Sequence, residues 1–257
     1  MKSLKHLAAL LALAVLVATG QAQAETYVII KGKKEKADRI EANASGGLTL
    51  ISGPGGGAKR TVQWADMDRV VTDKPAEIRT AEDQFNNDKF DDVLKTLNSQ
   101  VFSKYRYVGW GAYISHLRGR SYLALKQPAE AQKVLNDGMR YAAKEDREGL
   151  LNIDMVQALI DQGDKQRVEK AKEIMATVNP GNDANLAAFL YNMQGKLLRH
   201  DGKKREALLK HLAVIMVFEK ADRAARMLAY DEAIELMQEL NDARHGYLTT
   251  KKNAEFR

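Results

Sequence analysis

The chain has 257 residues with no cysteine, four prolines and aromatic residues at only 7%. Without cysteine there can be no disulfide, thiolate metal site, iron–sulfur cluster or thiol nucleophile. There is no His-Glu-x-x-His run for a zinc-binding helix and no Gly-x-Ser-x-Gly elbow for a serine nucleophile. No apolar stretch reaches the roughly 20 residues of an ordinary bilayer-spanning helix. The uncharged apolar run at 7–18 has twelve residues. What is plentiful is charge, at 29%, with Ala, Leu, Lys and Glu dominating the second half. That mixture suits exposed helices around a modest core better than a large sheet.

Lys2 and Lys5 precede the apolar run, and Ala22-Gln23-Ala24 follows it with small residues at the two positions a signal peptidase reads. Residues 1–24 are therefore expected to be a signal peptide. The mature chain would start at Glu25, be exported to a bacterial periplasm, and keep no membrane span after cleavage. Losing Lys2 and Lys5 lowers the basic count from 40 to 38 against 34 acidic residues, a formal charge of +4. Basic and acidic residues are interspersed, and no basic run carries interleaved aromatics, so no nucleic-acid partner is expected.

Residues 25–73 read as a small β module. Strands are expected at 27–30, 39–42, 48–51, 60–64 and 68–71, separated by Gly32, Ser45-Gly46-Gly47 and the glycine loop at 53–57. Five short strands with glycine turns, and a tight turn at 64–68 into the last one, resemble a Sm-like or Src-homology-type β-barrel. The glycine loop, continuing through Ala58-Lys59-Arg60-Thr61, approaches a phosphate-binding loop by letter. Both nucleotide motifs, however, need a helix directly after the loop to aim its amides at phosphate. Thr61-Val62-Gln63-Trp64 reads as strand, so a hairpin connector is expected. Asp66-x-Asp68 lacks a third ligand at calcium-loop spacing and reads as a polar turn.

From Lys74-Pro75 the texture changes. Pro75, Pro128 and Pro180 fall at breaks, and the segments between them carry apolar residues at i, i+3 and i+4, giving eight or nine helices. The segments repeat. Gly119 is followed by Tyr122, Ala131, Leu135 and Gly138; Gly195 is followed at the same spacings by Leu198, Ala207, His211 and Val214. Ala171, Met175 and Val178 give a partial copy between them, and Ala81, Val93 and Leu97 a weaker one before. Small residues at 119, 131, 195 and 207 let paired helices approach, with larger residues wedged between neighbouring pairs. The stretches 119–131 and 195–207 resemble the tetratricopeptide repeat family, although the usual Trp-x-x-Leu-Gly opening is absent. The resemblance implies an α-solenoid of helical hairpins over 75–257, with the helix from 221 on as cap and the basic end at 249–257 frayed.

Nothing in the helices asks for chemistry. His116, His200, His211 and His245 are not spaced as metal ligands, and no cofactor, metal or enzyme activity is expected; His211 reads as a packed wedge. Carried over from the resemblance, the concave face would be lined by Tyr113, His116 and Arg120, and by Phe189, Asn192, Lys196 and Arg199. Read functionally, these give an aromatic floor and a cationic edge for an acidic or C-terminal carboxylate-bearing segment. Read structurally, Tyr113 and Phe189 pack inside and the cations are solvated. The sequence thus yields a mainly α protein, an α-solenoid of tetratricopeptide-like hairpins preceded by a five-stranded β-barrel. The expected role is a non-catalytic scaffold or adaptor of the cell envelope binding a protein or peptide. The alternatives are a self-associating or outer-membrane structural subunit, or a glycan-binding module.

Overall fold

The computed structural model describes residues 26–43, 47–53 and 57–256. The expected signal peptide, Ser45-Gly46, and Pro54, Gly55 and Gly56 of the glycine loop lie outside the described residues. Two compact units emerge: Met1–Pro75 with Tyr107–Gly109, and Ala76–Arg106 with Trp110–Arg257.

The first unit holds β1 (Tyr27–Ile30), β2 (Lys33–Lys36), β3 (Arg39–Ala42), β4 (Gly47–Ser52), β5 (Ala58–Gln63) and β6 (Met67–Val71). These form two antiparallel three-stranded sheets, ordered β2-β1-β6 and β3-β4-β5. The expected five-stranded barrel is thereby corrected: among the described residues no strand pairing closes the sheets into one. The strand that pattern reading misses is β2. Lys-Lys-Glu-Lys has no apolar alternation, and its hairpin is made instead by Lys31 and Gly32, both at positive φ (50° and 75°), as in the primed turns whose twist suits hairpins. Gly32 N–H donates to the Asp68 carboxylate at 2.7 Å, so half of the Asp-x-Asp pair serves the turn. Lysines on an edge strand also discourage further pairing. Ser52 pairs with Ala58, which makes the glycine loop a hairpin connector leading into strand, not helix.

Trp64 does not end β5; it opens a short 3-10 turn, Trp64–Asp66, and its ring meets Tyr107 edge-on at 5.3 Å. Thr72 Oγ1 donates to the Val108 carbonyl at 2.7 Å. Gly109 has φ +89°, and a Cβ there would lie 2.7 Å from the Val70 carbonyl oxygen, so the position accepts only glycine. Val28, Leu48, Met67 and Val70 are buried at the core of this unit.

The second unit is helical: α1 (Ala76–Asn86), α2 (Phe90–Thr96), α3 (Ser99–Tyr105), α4 (Gly111–Ala124), α5 (Pro128–Glu145), α6 (Glu148–Gln162), α7 (Lys165–Thr177), α8 (Ala184–His200), α9 (Lys204–Val217), α10 (Arg223–Glu239) and α11 (His245–Glu255). Pro128 opens α5, where a missing N–H is harmless. Asn98, Asp164 and Asp183 cap α3, α7 and α8 through side-chain oxygens. From α4 onward successive helices pack as hairpins, and α4, α6, α8 and α10 also pack each against the next of the set; α1 packs on α4.

The glycine spacing has a direct structural counterpart. A Cβ on Gly119 would lie 2.7 Å from Leu135, and one on Gly195 would lie 2.4 Å from His211. Both pairs are sixteen residues apart in sequence, so the two hairpins cross at equivalent points. Ala131, Ala171 and Ala207 are fully buried at the matching second-helix positions. The C-terminal end departs from the expected fraying: α11 runs to Glu255, held by ion pairs from Lys252 to Asp231 and from Glu255 to Arg226, with Phe256 edge-on to Tyr230. Lys252 thus meets an acidic partner on α10, and Glu255 a basic one, that no local pattern reveals.

Candidate functional site

The helical unit contains a cavity of about 630 Å³, within the range of ligand sites. Its lining comes from α1, α4, α6, α8 and α10, with Asp88 of the α1–α2 turn and Phe90 of α2. Tyr113, Leu117, Phe189, Met227 and Leu228 supply apolar and aromatic surface. The first and last hairpins meet at its edge, where Arg223 Nη1 is 3.2 Å from Asp88 Oδ1. No serine, threonine or cysteine lines it among the described residues, and no group of three His, Asp or Glu there could hold a metal ion.

Of the seven residues expected to face a groove, Tyr113, His116, Arg120 and Phe189 line this cavity; Asn192, Lys196 and Arg199 do not. Tyr113 starts from the N-terminal turn of α4. Glu145, from the end of α5, accepts the backbone N–H groups of Ala112 (3.0 Å) and Tyr113 (3.2 Å), a cap supplied by the neighbouring helix. Tyr113 Oη donates to Glu82 Oε1 at 2.5 Å, its ring stacks on His116 at 5.7 Å, and the Arg147 guanidinium lies 4.3 Å from the ring centre. Burial first, then the hydrogen bond to Glu82 and the charges of Glu82 and Asp222, push the Tyr113 hydroxyl above its ordinary pKa, so it stays protonated and donates.

Asp154 on α6 is buried (1% side-chain exposure) and answers two residues of α4: His116 Nδ1 is 2.5 Å from its Oδ2, and Arg120 Nη1 donates to its Oδ1 at 3.2 Å. Arg120 also lies over the Phe189 ring at 4.2 Å. The expected cationic edge is thus already neutralised here.

The same is true further along. Asp161, seven residues after Asp154 on α6, takes Lys196 at 2.5 Å, and Lys196 reaches Glu232 on α10 at 3.4 Å. Burial works against the Lys196 ammonium, but Asp161 and Glu232 outweigh it and hold its pKa above the ordinary value. Arg199 meets Glu232 at 2.8 Å, Glu235 at 2.9 Å and Glu239. Asn192 is fully buried, donating Nδ2 to the Ala225 carbonyl at 2.8 Å while its Oδ1 faces His211 Nδ1 at 3.0 Å. The Lys196 and Arg199 pairs and the Asn192–Ala225 bond tie first helices of successive hairpins, so these cations already have carboxylate partners and Asn192 is buried. The physical reason is register: residues facing the next hairpin occur with the same helical period as residues facing a groove.

Sequence reading missed Glu82, Asp83 and Asp222 at the cavity, together with Met227 and Leu228, because α1 read as a weak repeat and α10 as a cap. Asp222 stands at the N-cap of α10, yet its side chain makes no cap hydrogen bond. No helix among the described residues is long and apolar enough to cross a membrane. Comparison with protein-family models, with curated proteins and with solved structures gives no match to this chain.

Proposed function

We propose that this chain is an exported, non-catalytic interaction scaffold of the bacterial cell envelope, whose helical unit is a tetratricopeptide-like solenoid holding a segment of another protein in its concave cavity. The observation that carries this reading is the cavity itself. Its walls include α4, α6, α8 and α10, first helices of successive hairpins, and among the described residues it offers apolar surface with no serine, threonine or cysteine and no metal-holding group. The repeated Gly119–Leu135 and Gly195–His211 crossings support the family reading, since both hairpins use the same close contact. Export rests on the N-terminal charge, apolar run and small-residue pattern.

A second reading, a self-associating subunit, has one observation in its favour. Leu209, Met216 and Val217 of α9 are 66%, 70% and 71% exposed. One experiment separates the two: photo-crosslinking in living cells from a reactive side chain at Met227, inside the cavity, or at Leu209, on α9. A single dominant partner captured at Met227 and not at Leu209 is the expected result. Self-crosslinks from Leu209, with nothing captured at Met227, would replace the scaffold by a structural subunit.

A further inference from the structure

We infer that the cavity reads its occupant through a hydrogen-bonding floor of His116, Arg120 and Gln157, and that the group seated there is a carboxamide, the side chain of an asparagine or glutamine in the held segment. The inference rests on the scaffold reading above and names the chemistry that the cavity selects.

Unused hydrogen-bonding capacity in a mostly buried wall carries it. Gln157 of α6 lines the cavity, yet the residue is only 9% exposed. Its Nε2 reaches Asp161 Oδ2 only at 3.5 Å, the outer limit of a hydrogen bond, and its Oε1 accepts from no described residue. One turn earlier on the same helix, Asp154 fixes two residues of α4, His116 through Nδ1 and Arg120 through Nη1. Both residues line the cavity, and their side chains are 12% and 10% exposed. In the neutral imidazole the proton lies on Nδ1, toward Asp154, so Nε2 is a lone pair without a partner among the described residues. Arg120 donates to Asp154 and makes no other hydrogen bond among them. Neither Gln157 Oε1 nor His116 Nε2 is sealed in the packing, so each is open to the cavity.

The floor thus offers two acceptors beside an array of donors, with the Arg120 charge matched by Asp154. A carboxamide brings two N–H donors and one oxygen, enough to answer both acceptors and Arg120 together. A carboxylate has no proton for either acceptor, an ammonium no lone pair for Arg120, and a hydroxyl one proton for two acceptors. Each mismatch leaves a desolvated polar atom bare. A sugar brings more hydroxyls but stacks on an open aromatic face. The rings beside this floor are already covered, Tyr113 by His116 and Arg147, and Phe189 by Arg120. Leu117, Met227 and Leu228 leave apolar surface for the methylene stem and an adjoining side chain.

The test uses the purified full chain at about pH 8, above the ordinary imidazole range. Its probe is a pooled library of peptides Ser-x-X-x-Ser with methylamide ends, where x is Ala, Leu, Met or Phe and X is Gln, Asn, Glu, Lys, Ser or Met. Among the members retained, counted by mass spectrometry, Gln or Asn at X should be enriched at least about tenfold over every other residue. Gln157→Met and His116→Phe should each erase that enrichment and let Met at X bind as well as Gln, a change of selectivity that loosened packing alone does not produce. Asp137→Asn on α5, outside the cavity, should keep it. Enrichment of Glu, Lys, Ser or Met to the level of Gln, an unchanged preference in either folded variant, or no retained member at all would overturn the assignment. So would displacement of the Gln peptides by maltotriose, which would seat a sugar on the floor. Sequencing the segment crosslinked to Met227 in cells keeps the two claims apart. A segment without asparagine or glutamine sinks the carboxamide inference and spares the scaffold; capture of nothing at Met227 sinks the scaffold itself.

Discussion

In the hairpin α4–α5 the residue wedged over the first-helix glycine is Leu135; in α8–α9 the equivalent residue is His211. Both are fully buried. The leucine asks nothing of its surroundings beyond volume. The imidazole needs hydrogen-bond partners, and Asn192 provides one at Nδ1 while its own amide reaches across to the Ala225 carbonyl of α10. Because that geometry puts the proton on Nδ1, the bare Nε2 faces Gly195 and finds no partner among the described residues. One backbone crossing is thus stabilised by packing alone and the other by packing plus a polar relay that couples α8, α9 and α10. A buried relay of this kind is stiffer, and costs more when disturbed, than an apolar wedge.

The largest expected effect comes from protons. Burial, then the charges of Lys196 and Arg199, push the pKa of His211 from 6.5 down to about 3. Between those values the unfolded chain binds the extra proton, so the stability His211 contributes is complete above pH 6.5 and is lost as the pH falls toward 3. Glu145, at the other hairpin, behaves oppositely. Burial outweighs the amides of Ala112 and Tyr113 and the charge of Arg147, and raises its carboxyl from 4.5 to about 7. The folded chain then holds the extra proton, so that stability is complete below pH 4.5 and is lost as the pH rises through 7. Each slope is about 1.4 kcal/mol per pH unit, and over the shared window they oppose. In urea melts, Glu145→Gln should uncover the histidine limb, losing roughly 2–3 kcal/mol on going from pH 6.5 to 4.5. His211→Leu should uncover the glutamate limb and gain a similar amount over the same interval. Profiles of the same slope in both variants would refute the opposition of the two groups.

Next in size is a steric contrast. The Cβ of Gly195→Ala would stand 2.4 Å from His211 Nε2 and 2.7 Å from its Cε1, against a ring pinned by Asn192. In Gly119→Ala the obstacle is Leu135, with Cδ2 at 2.7 Å and Cγ at 2.8 Å, a side chain that no hydrogen bond holds in its rotamer. Overpacking costs about 1–3 kcal/mol, offset by about 1 kcal/mol of helix propensity gained on leaving glycine. Gly195→Ala should therefore lose about 2 kcal/mol in chemical denaturation and Gly119→Ala less than about 1 kcal/mol. Combining Gly195→Ala with His211→Leu should bring the second hairpin to the value of the first. Equal losses for the two single variants would mean the imidazole is no more rigid than the leucine.

Helical texture, the breaks at Pro128 and Pro180, and the matched spacings from Gly119 and Gly195 were legible because each follows from local geometry repeated along one chain. The wedge role of His211 was legible for the same reason. Strand β2 was not, because its hairpin depends on the backbone at Lys31-Gly32 and not on side-chain alternation. Closure of the β module was misread because strand count carries no information on which edges pair. Tyr113, His116, Arg120 and Phe189 were found at the cavity. Arg120, Lys196 and Arg199 read as a cationic edge only because Asp154, Asp161 and Glu232 lie more than thirty residues away in sequence. Complementarity across hairpins is invisible to a local pattern.

The smallest effect sharpens the contrast between ties within a hairpin and ties between hairpins. Lys133 on α5 meets Glu130 at 3.2 Å, but its side chain is 71% exposed, and such a pair is worth well under about 1 kcal/mol. Lys196 is 12% exposed and stands between Asp161 and Glu232 of two other first helices. Truncating it strands a partly buried Asp161, while Glu232 keeps Arg199. Lys133→Ala should therefore change stability by less than about 0.5 kcal/mol, and salt should erase even that. Lys196→Met should cost about 1–2 kcal/mol and keep most of that loss in high salt, since a desolvated pair is poorly screened. If salt abolishes the two differences alike, the charges linking α6, α8 and α10 are solvated decoration, and packing with the buried ties of Asn192 and Asp154 holds the hairpins in register.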